Sequence, residues 1–160
     1  MARARIVAVD FDGTLVTHEY PNIGTPLPWA FETLIKLREK GVRVFLWTMR
    51  GHPDLERFPH LDIRTGKFIP QDTLQEAIDY CKAKGLEFDG INESPEQFST
   101  SNKQYAHVYI DDAALGVPLV TPRQVDWGKV IHILVEQYGF LTWKDVEEMI
   151  EAKEKCEKGV

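Results

Sequence analysis

The amino-acid sequence predicts an α/β domain in which a mostly parallel sheet is covered by helices on both faces. Short apolar runs alternate along the chain with amphipathic helical segments, and this alternation is typical of parallel strands joined by helices. The length of 160 residues suits a single domain with one hydrophobic core, residues 1–160. Polar side chains follow several of the predicted strands. Ligands of such sheets bind beyond the carboxyl ends of the strands, so functional residues are expected there.

The first half of the chain contains two predicted strands and two predicted helices. Ile6–Val9 is a continuous apolar run, which is typical of a strand buried on both faces. Residues 29–40 carry apolar side chains at helical spacing and are followed by Gly41, so we expect an amphipathic helix there. The apolar run 42–47 predicts the second strand, and residues 73–84 predict a second amphipathic helix.

The second half of the chain contains three predicted strands and two predicted helices. The strands are expected over residues 88–92, 106–110 and, as a short fifth strand, 117–120. Asp126 and Thr142 are residue types that cap helix N-termini, so helices are expected from these residues to about 138 and 158. The predicted core therefore covers about residues 4–122, and the C-terminal helices cover about 126–158.

Two proline-containing segments, residues 17–28 and 51–71, are predicted to be loops. A connection as long as the second is uncommon in a compact domain unless it serves as a lid or a binding element. His52 and His60 lie on this connection without a paired ligand spacing, so they are interpreted as loop residues rather than metal ligands.

Composition and charge exclude several classes of protein. No apolar run approaches the roughly 20 residues of a membrane helix, and the N-terminus lacks the features of a secretory signal. The two cysteines, Cys81 and Cys156, are far apart, which suits a reducing cytoplasm. The net charge of −6 and the absence of a basic half disfavour binding to a nucleic-acid backbone, but they are compatible with a small anionic substrate.

Carboxylates end two of the predicted strands. Asp10 and Asp12 follow the first strand, and the pair Asp111 and Asp112 follows the strand over 106–110. Carboxylates gathered at one sheet edge repel one another unless a cation or shared protons offset their charge. A divalent cation with oxygen ligands suits them best, and Mg²⁺ is the common choice beside phosphate. The alternative is that they serve a turn and a helix cap only.

Three segments resemble the motifs of the haloacid dehalogenase-like phosphohydrolase superfamily. Residues 9–15, with the sequence VDFDGTL, are similar to its first motif. Residues 44–48, an apolar strand ending in Thr48, are similar to its second motif, and residues 109–112 are similar to its fourth. The segments stand in the family's order. Residues 20–24 and 46–50 further resemble a small group of short bacterial members. The resemblance implies a three-layer α/β domain of Rossmann type.

The resemblance also implies roles for individual residues. Asp10 would be the nucleophile that forms an aspartyl-phosphate, and Asp12 would be the general acid and then the general base. Mg²⁺ would be held by Asp10, the backbone carbonyl of Asp12, Asp111 and Asp112. Thr48 would bind a phosphate oxygen, together with loop N–H groups around Phe11 and Gly13. The alternative for Thr48 is a strand-end residue with a satisfied hydroxyl.

The family's phosphate-binding lysine or arginine has no evident counterpart directly after the strand over 88–92. Lys103 precedes Asp111 by eight residues, and eight residues of extended chain span about 26 Å, which would place Lys103 near the opposite edge of the sheet. Arg50, two residues after Thr48, is therefore predicted to be the better substitute, because its fork can grip two phosphate oxygens. Arg64 and Lys67 on the long connection are further candidates.

The sequence thus predicts a Mg²⁺-dependent phosphohydrolase acting on an unidentified small phosphomonoester. The gaps from 15 to 29 and from 93 to 102 are too short for a folded cap domain, so the site should be open. An open site suits a bulky substrate, or cover by a second copy of the chain or by residues 51–71. Two alternatives are a phosphatase of nucleic-acid ends or phosphoproteins, and a non-catalytic binding or regulatory module.

Overall fold

The structure is a computed structural model that describes residues 5–53, 61–62, 64–68, 71–95 and 100–159. The predicted α/β class is confirmed, because helices separate the strands of a parallel sheet. In chain order the elements are β1 (Ile6–Val9), α1 (Ala30–Glu39), β2 (Arg43–Leu46), β3 (Leu61–Asp62), β4 (Lys67–Phe68), α2 (Thr73–Ala83), β5 (Gly90–Ile91), β6 (Val108–Ile110), β7 (Leu119–Thr121), β8 (Gln124–Val125), α3 (Trp127–Glu136) and α4 (Trp143–Glu157).

The main sheet has the strand order β5-β2-β1-β6, and each neighbouring pair is parallel. All four residues of β1 are buried, as expected for a central strand covered on both faces. From β1 the chain adds β2 and then β5 on one side, and β6 lies on the other side. The topological switch point is therefore between β1 and β6, and their carboxyl ends are the place where a ligand is expected.

The predicted helices form close to their expected bounds. The Asp126 side chain caps α3 by accepting a hydrogen bond from the Lys129 N–H at 3.2 Å. Thr142 and Asp145 form a capping box at the start of α4, in which each side chain bonds the other residue's backbone. These contacts confirm the two predicted helix starts. No helix among the described residues is both long enough and apolar enough to cross a membrane.

The predicted fifth strand does not join the sheet. After Asp112 the chain turns twice, with the Ala114 N–H bonded to the Asp111 carbonyl and the Val117 N–H bonded to the Ala114 carbonyl. It then enters an antiparallel hairpin of β7 and β8. The Val125 N–H donates to the Gly13 carbonyl at 3.0 Å, which attaches the hairpin to the turn after β1.

The long connection over 51–71 contains a second small hairpin, in which β3 and β4 pair antiparallel. Two-residue strands carry no apolar periodicity, so the sequence did not predict them. Gly66 has φ +65° in the turn between these strands, a conformation that favours glycine. His60 lies outside the described residues.

Candidate active site

An acidic cluster forms where β1 and β6 end side by side. Asp10 directly follows β1, and its backbone N–H donates to the Ile110 carbonyl at 2.9 Å. Asp111 and Asp112 directly follow β6. One carboxylate oxygen from each of Asp10, Asp111 and Asp112 lies within 4.8 Å of the other two. The structure therefore brings together three of the four predicted metal ligands, and this triad can hold a metal ion.

Burial and mutual repulsion make this cluster costly without a cation. Burial raises the pKa of Asp10 to about 7; the backbone N–H of Phe11 opposes this shift, and the charges of Asp111 and Asp112 add to it. Burial and then the Asp111 charge raise the pKa of Asp112 as well. A divalent cation between the three carboxylates would relieve both effects, and carboxylate oxygens are the donors that hard cations prefer.

Thr14 links the two halves of the cluster. Its hydroxyl donates to Asp10 Oδ2 at 3.3 Å and accepts from the Asp112 N–H at 3.0 Å. The Thr14 carbonyl in turn accepts from the Trp127 indole N–H at 2.7 Å. Sequence reasoning included Thr14 in the first motif but gave it no role. Its partners could not be read from the sequence, since Asp112 is remote along the chain.

The Asp12 carboxylate lies apart from the cluster and is bound by Arg50. Arg50 Nε donates to Asp12 Oδ2 and Nη2 donates to Asp12 Oδ1, both at 2.7 Å. The remaining guanidinium N–H groups bond the carbonyls of Pro21, Asn22 and Thr73 at 3.0, 2.7 and 3.3 Å. Arg50 is 2% exposed, and these five hydrogen bonds use all five donors of its guanidinium.

Two predictions are corrected by this arrangement. Arg50 has no N–H left for a phosphate group, so it does not serve as the predicted phosphate cation in this conformation. The Asp12 side chain is not part of the metal triad, which leaves only its backbone carbonyl as the predicted ligand. Arg50 instead fixes the orientation of Asp12 and joins it to the loop at Pro21 and to the start of α2.

Lys103 lies at the active edge of the sheet. It lines a cavity of about 580 Å³ together with Asp10, Thr48, Asn92 and Asp111. The expectation that it lies near the opposite edge was wrong, because β6 begins only at Val108 and residues 103–107 before it do not form a strand.

Three hydrogen bonds hold this irregular stretch in place. The Gln104 side chain donates to the Glu93 carbonyl at 2.7 Å, and the Tyr105 N–H donates to Ser94 Oγ at 3.0 Å. The Tyr109 hydroxyl donates to the Gln104 carbonyl. Residues 104 and 105 are thereby held against residues 93 and 94, just beyond the carboxyl end of β5, and Lys103 directly precedes them.

Thr48 and Asn92 form the adjoining wall of the same cavity. The Thr48 N–H donates to Asn92 Oδ1 at 2.8 Å, and Thr48 Oγ1 accepts from the Arg50 N–H at 3.2 Å. Among the described residues the Thr48 hydroxyl proton has no acceptor, so it can donate into the cavity beside Asp10. Asn92, in the left-handed region at φ +50°, is a positioning residue that the sequence analysis noted only as a strand end.

One of the two predicted loop donors, the Gly13 N–H, is already used. It donates to the Val16 carbonyl at 2.7 Å, so its predicted binding to phosphate is corrected for this conformation. The Phe11 N–H lowers the pKa of the Asp10 carboxyl, and its binding to phosphate stays a prediction.

The remaining basic candidates lie on the 51–71 connection. Arg64 Nη2 donates to the Tyr20 carbonyl at 3.2 Å, and Lys67 is exposed. His52 lies in an irregular part of the same connection and pairs with Asp72 at 2.8 Å; that it is no metal ligand stays a prediction. None of these three lines the cavity that contains Lys103.

Comparison with solved structures finds a match over nearly the whole chain. The matching structure is that of a conserved protein from Bacteroides thetaiotaomicron. The two sequences are 35% identical, and the match covers 90% of this chain and 98% of that chain with a TM-score of 0.62. The chain belongs to the family of this conserved protein. No protein-family model and no curated protein matches the chain.

This family member has a second cavity beside the acidic cluster. Its volume is about 650 Å³, and it shares Asp10, Thr48, Met49 and Asp111 with the first. Asp12, His18, Tyr20 and Arg123 line it, together with further residues of the strand ends. Sequence reasoning missed His18 and Arg123, because both lie in segments without a recognisable motif.

Proposed function

We propose that the protein is a Mg²⁺-dependent phosphohydrolase that cleaves a phosphomonoester through an aspartyl-phosphate on Asp10. The observation that carries this proposal is the convergence of Asp10, Asp111 and Asp112 within 4.8 Å at the switch point of the sheet, with Thr48 and Lys103 in the same cavity. The resemblance to the haloacid dehalogenase-like phosphohydrolases and their Rossmann-type domain supports the assignment of roles.

The residues present fit a magnesium ion. Asp10, Asp111 and Asp112 offer oxygen donors, the Asp12 carbonyl is a further oxygen at the same turn, and Mg²⁺ binds such donors with water completing its shell. When bound, the metal neutralises charge between an anionic nucleophile and an anionic phosphate. The raised pKa of Asp10 without metal agrees with a site that is completed by a cation.

The chemistry at phosphorus is assigned to two carboxylates. An Asp10 oxygen attacks phosphorus, the bond between phosphorus and the ester oxygen breaks, and Asp12, which carries a proton at the start of this step, delivers it to the departing oxygen. Asp12 then removes a proton from a water molecule, whose oxygen attacks phosphorus and releases Asp10 and inorganic phosphate. Each Asp12 oxygen accepts one hydrogen bond from Arg50, which leaves a lone pair on each oxygen for these proton transfers.

Two groups are assigned to the oxygens of the transferred phosphate. The Thr48 hydroxyl is a neutral donor beside Asp10, and the Lys103 ammonium is the cation that lines the same cavity. A lysine acts as a point charge and needs no fixed geometry, so it can follow the phosphate as the reaction proceeds. Asn92 keeps Thr48 in place through its hydrogen bond to the Thr48 N–H.

The test is hydrolysis of 4-nitrophenyl phosphate by the wild-type protein and by Asp10→Asn, each with Mg²⁺ and with a chelator. Turnover by the wild type with Mg²⁺ only, lost in Asp10→Asn, would support the proposal. An amide is not a nucleophile of this type and is a poorer metal ligand. Equal activity of the variant, or activity that survives chelation, would contradict it. Mg²⁺ binding without turnover of any phosphomonoester would favour the non-catalytic alternative.

A further inference from the structure

The two cavities beside the acidic cluster differ in which catalytic groups they contain. Asp10 and Thr48 line both, but Lys103 lines only the first and Asp12 lines only the second. Under the proposed function, Lys103 binds the oxygens that stay on phosphorus, and Asp12 exchanges a proton with the oxygen that leaves. The leaving group of the substrate must therefore extend into the second cavity, since its ester oxygen has to lie next to Asp12.

The second cavity contains an arginine without a carboxylate partner. Arg123 is exposed, and among the described residues no ion pair within 4.0 Å involves it. It lies between β7 and β8, at the tip of the hairpin. His18 lines the same cavity from the loop after β1. Arg123 and His18 therefore line the same cavity as Asp12 and the acidic cluster.

The backbone of Arg123 is held in a fixed place relative to the catalytic turn. The Val125 N–H donates to the Gly13 carbonyl at 3.0 Å. A Cβ atom built on Gly13 would lie 2.7 Å from the Arg123 carbonyl oxygen, which means that the hairpin tip packs directly against this turn. A guanidinium on a fixed backbone in the same cavity as Asp12 is suited to bind a charged group of the substrate, because its fork binds carboxylate or phosphate with two hydrogen bonds.

We propose that the substrate's leaving group carries a second anionic group, a carboxylate or a phosphate, which Arg123 binds with His18 alongside. The inference rests on the proposed function, and it makes Arg123 a specificity-determining residue. It narrows the substrate class from phosphomonoesters in general to phosphorylated acids and bisphosphates. Arg123 thus binds the leaving group, whereas Lys103 binds the transferred phosphate.

The experiment compares three esters with the same three-carbon chain: propyl phosphate, 3-(phosphonooxy)propanoate and propane-1,3-diol bisphosphate. The wild type is expected to hydrolyse the two esters that carry a second anionic group with a higher kcat/KM than propyl phosphate. Arg123→Gln should lower kcat/KM for these two esters roughly tenfold to hundredfold, and it should change propyl phosphate hydrolysis by less than about twofold. The ratio of kcat/KM between 3-(phosphonooxy)propanoate and the bisphosphate shows whether Arg123 prefers a carboxylate or a phosphate.

Arg43→Gln is the matched control, because Arg43 begins β2 at the opposite end of the sheet from the site. It should leave the preference among the three esters unchanged. Equal kcat/KM for the three esters in the wild type would overturn the inference. An equal loss for all three in Arg123→Gln would overturn it too, since Arg123 would then bind the transferred phosphate.

A binding measurement separates this inference from the proposed function. Calorimetric titration of propane-1,3-diol bisphosphate and propyl phosphate into Asp10→Asn, with and without Arg123→Gln, needs no turnover. The inference is supported if the bisphosphate binds more tightly than propyl phosphate and if Arg123→Gln abolishes this difference. That support holds even if the wild type hydrolyses none of the esters, because the lack of hydrolysis would contradict only the proposed function. Equal affinity for the two esters would overturn the inference.

Discussion

At the scale of single residues, the ion pair between Arg50 and Asp12 is the contact that organises the site. The Arg50 side chain is 1% exposed and the Asp12 side chain 11% exposed, and the rings of Phe11 and Tyr20 lie near the guanidinium, with their centroids at 4.9 and 5.3 Å. Removing one partner from a buried pair is costly, because the other charge is left without compensation. Arg50 is therefore expected to matter for stability and for the orientation of Asp12.

Arg50→Ala should destabilise the protein by about 3–5 kcal/mol, measured by denaturant unfolding, since it leaves the Asp12 carboxylate and three backbone carbonyls without their donor. The double variant Arg50→Ala with Asp12→Asn should recover part of this loss, because the uncompensated charge is gone. Arg43→Ala, at the half-buried start of β2, serves as the control. An Arg50→Ala protein as stable as the wild type would show that the pair does not hold the site together.

Lys103→Ala should lower kcat/KM for a phosphomonoester roughly tenfold to hundredfold, the loss expected for a charged donor to phosphate. Lys103→Arg should retain part of the activity, because the charge stays in the cavity. Lys155→Ala, on the exposed part of α4, should have wild-type kinetics. The assignment of the phosphate cation would be wrong if Lys103→Ala matched the wild type.

The raised pKa of Asp10 predicts how stability depends on pH without metal. The pKa is 3.8 for the ordinary group and about 7 in the folded protein, so the native state binds more protons than the unfolded state between these values. The contribution of Asp10 is fully present below pH 3.8 and is lost as the pH rises through about 7. Thermal melts in chelator should therefore show a steeper loss of stability over this range for the wild type than for Asp10→Asn.

Added Mg²⁺ should remove this difference, because the ion binds the charged form of the triad and only in the native state. Its stabilising effect should grow with pH, as protons compete less for the carboxylates. Identical pH profiles of wild type and Asp10→Asn in chelator would contradict the origin assigned to the shift.

At the scale of secondary-structure elements, the strands and their ends could be predicted from the sequence, whereas the segments between them could not. Buried runs such as Ile6–Val9 identify the central strands, and parallel strands place their carboxyl ends at one edge. That reasoning located Asp10, Thr48 and Asp111. It misplaced Lys103, because side-chain to backbone bonds from Gln104 and Ser94, rather than any periodicity, fold the chain before β6.

The hairpin of β7 and β8 packs closely against the turn after β1, at Gly13. Gly13 has φ +79°, and a Cβ there would lie 2.7 Å both from the Arg123 carbonyl oxygen and from Asp112 Oδ2. Its substitution therefore combines backbone strain with a clash against two neighbours.

Gly13→Ala should cost more stability than Gly41→Ala, by at least about 1 kcal/mol in denaturant unfolding. Gly41 is the matched control, since it has φ +80° but a Cβ atom there would meet nothing within 4 Å. The two substitutions share the conformational strain, so the difference reports the contacts of Gly13 with the hairpin tip and with Asp112. Equal costs would mean that both neighbours move away freely.

At the scale of the whole molecule, the sheet order β5-β2-β1-β6 explains why the site is where it is. At the switch point between β1 and β6, two acidic segments that are remote along the chain lie side by side. Met49, which lines both cavities next to Thr48, is 99% exposed. The predicted cover by a second copy or by residues 51–71 stays a prediction.

The central claim is that Asp10 carries the phosphoryl group during turnover, and rapid acid quench followed by peptide mass mapping tests it most directly. The wild type with Mg²⁺ and 4-nitrophenyl phosphate is expected to yield one phosphoryl group on the peptide that contains Asp10. Asp10→Asn should yield none, and neither should the wild type in chelator. Turnover with no phosphorylated peptide at any quench time, or with the phosphoryl group on a residue other than Asp10, would contradict the account.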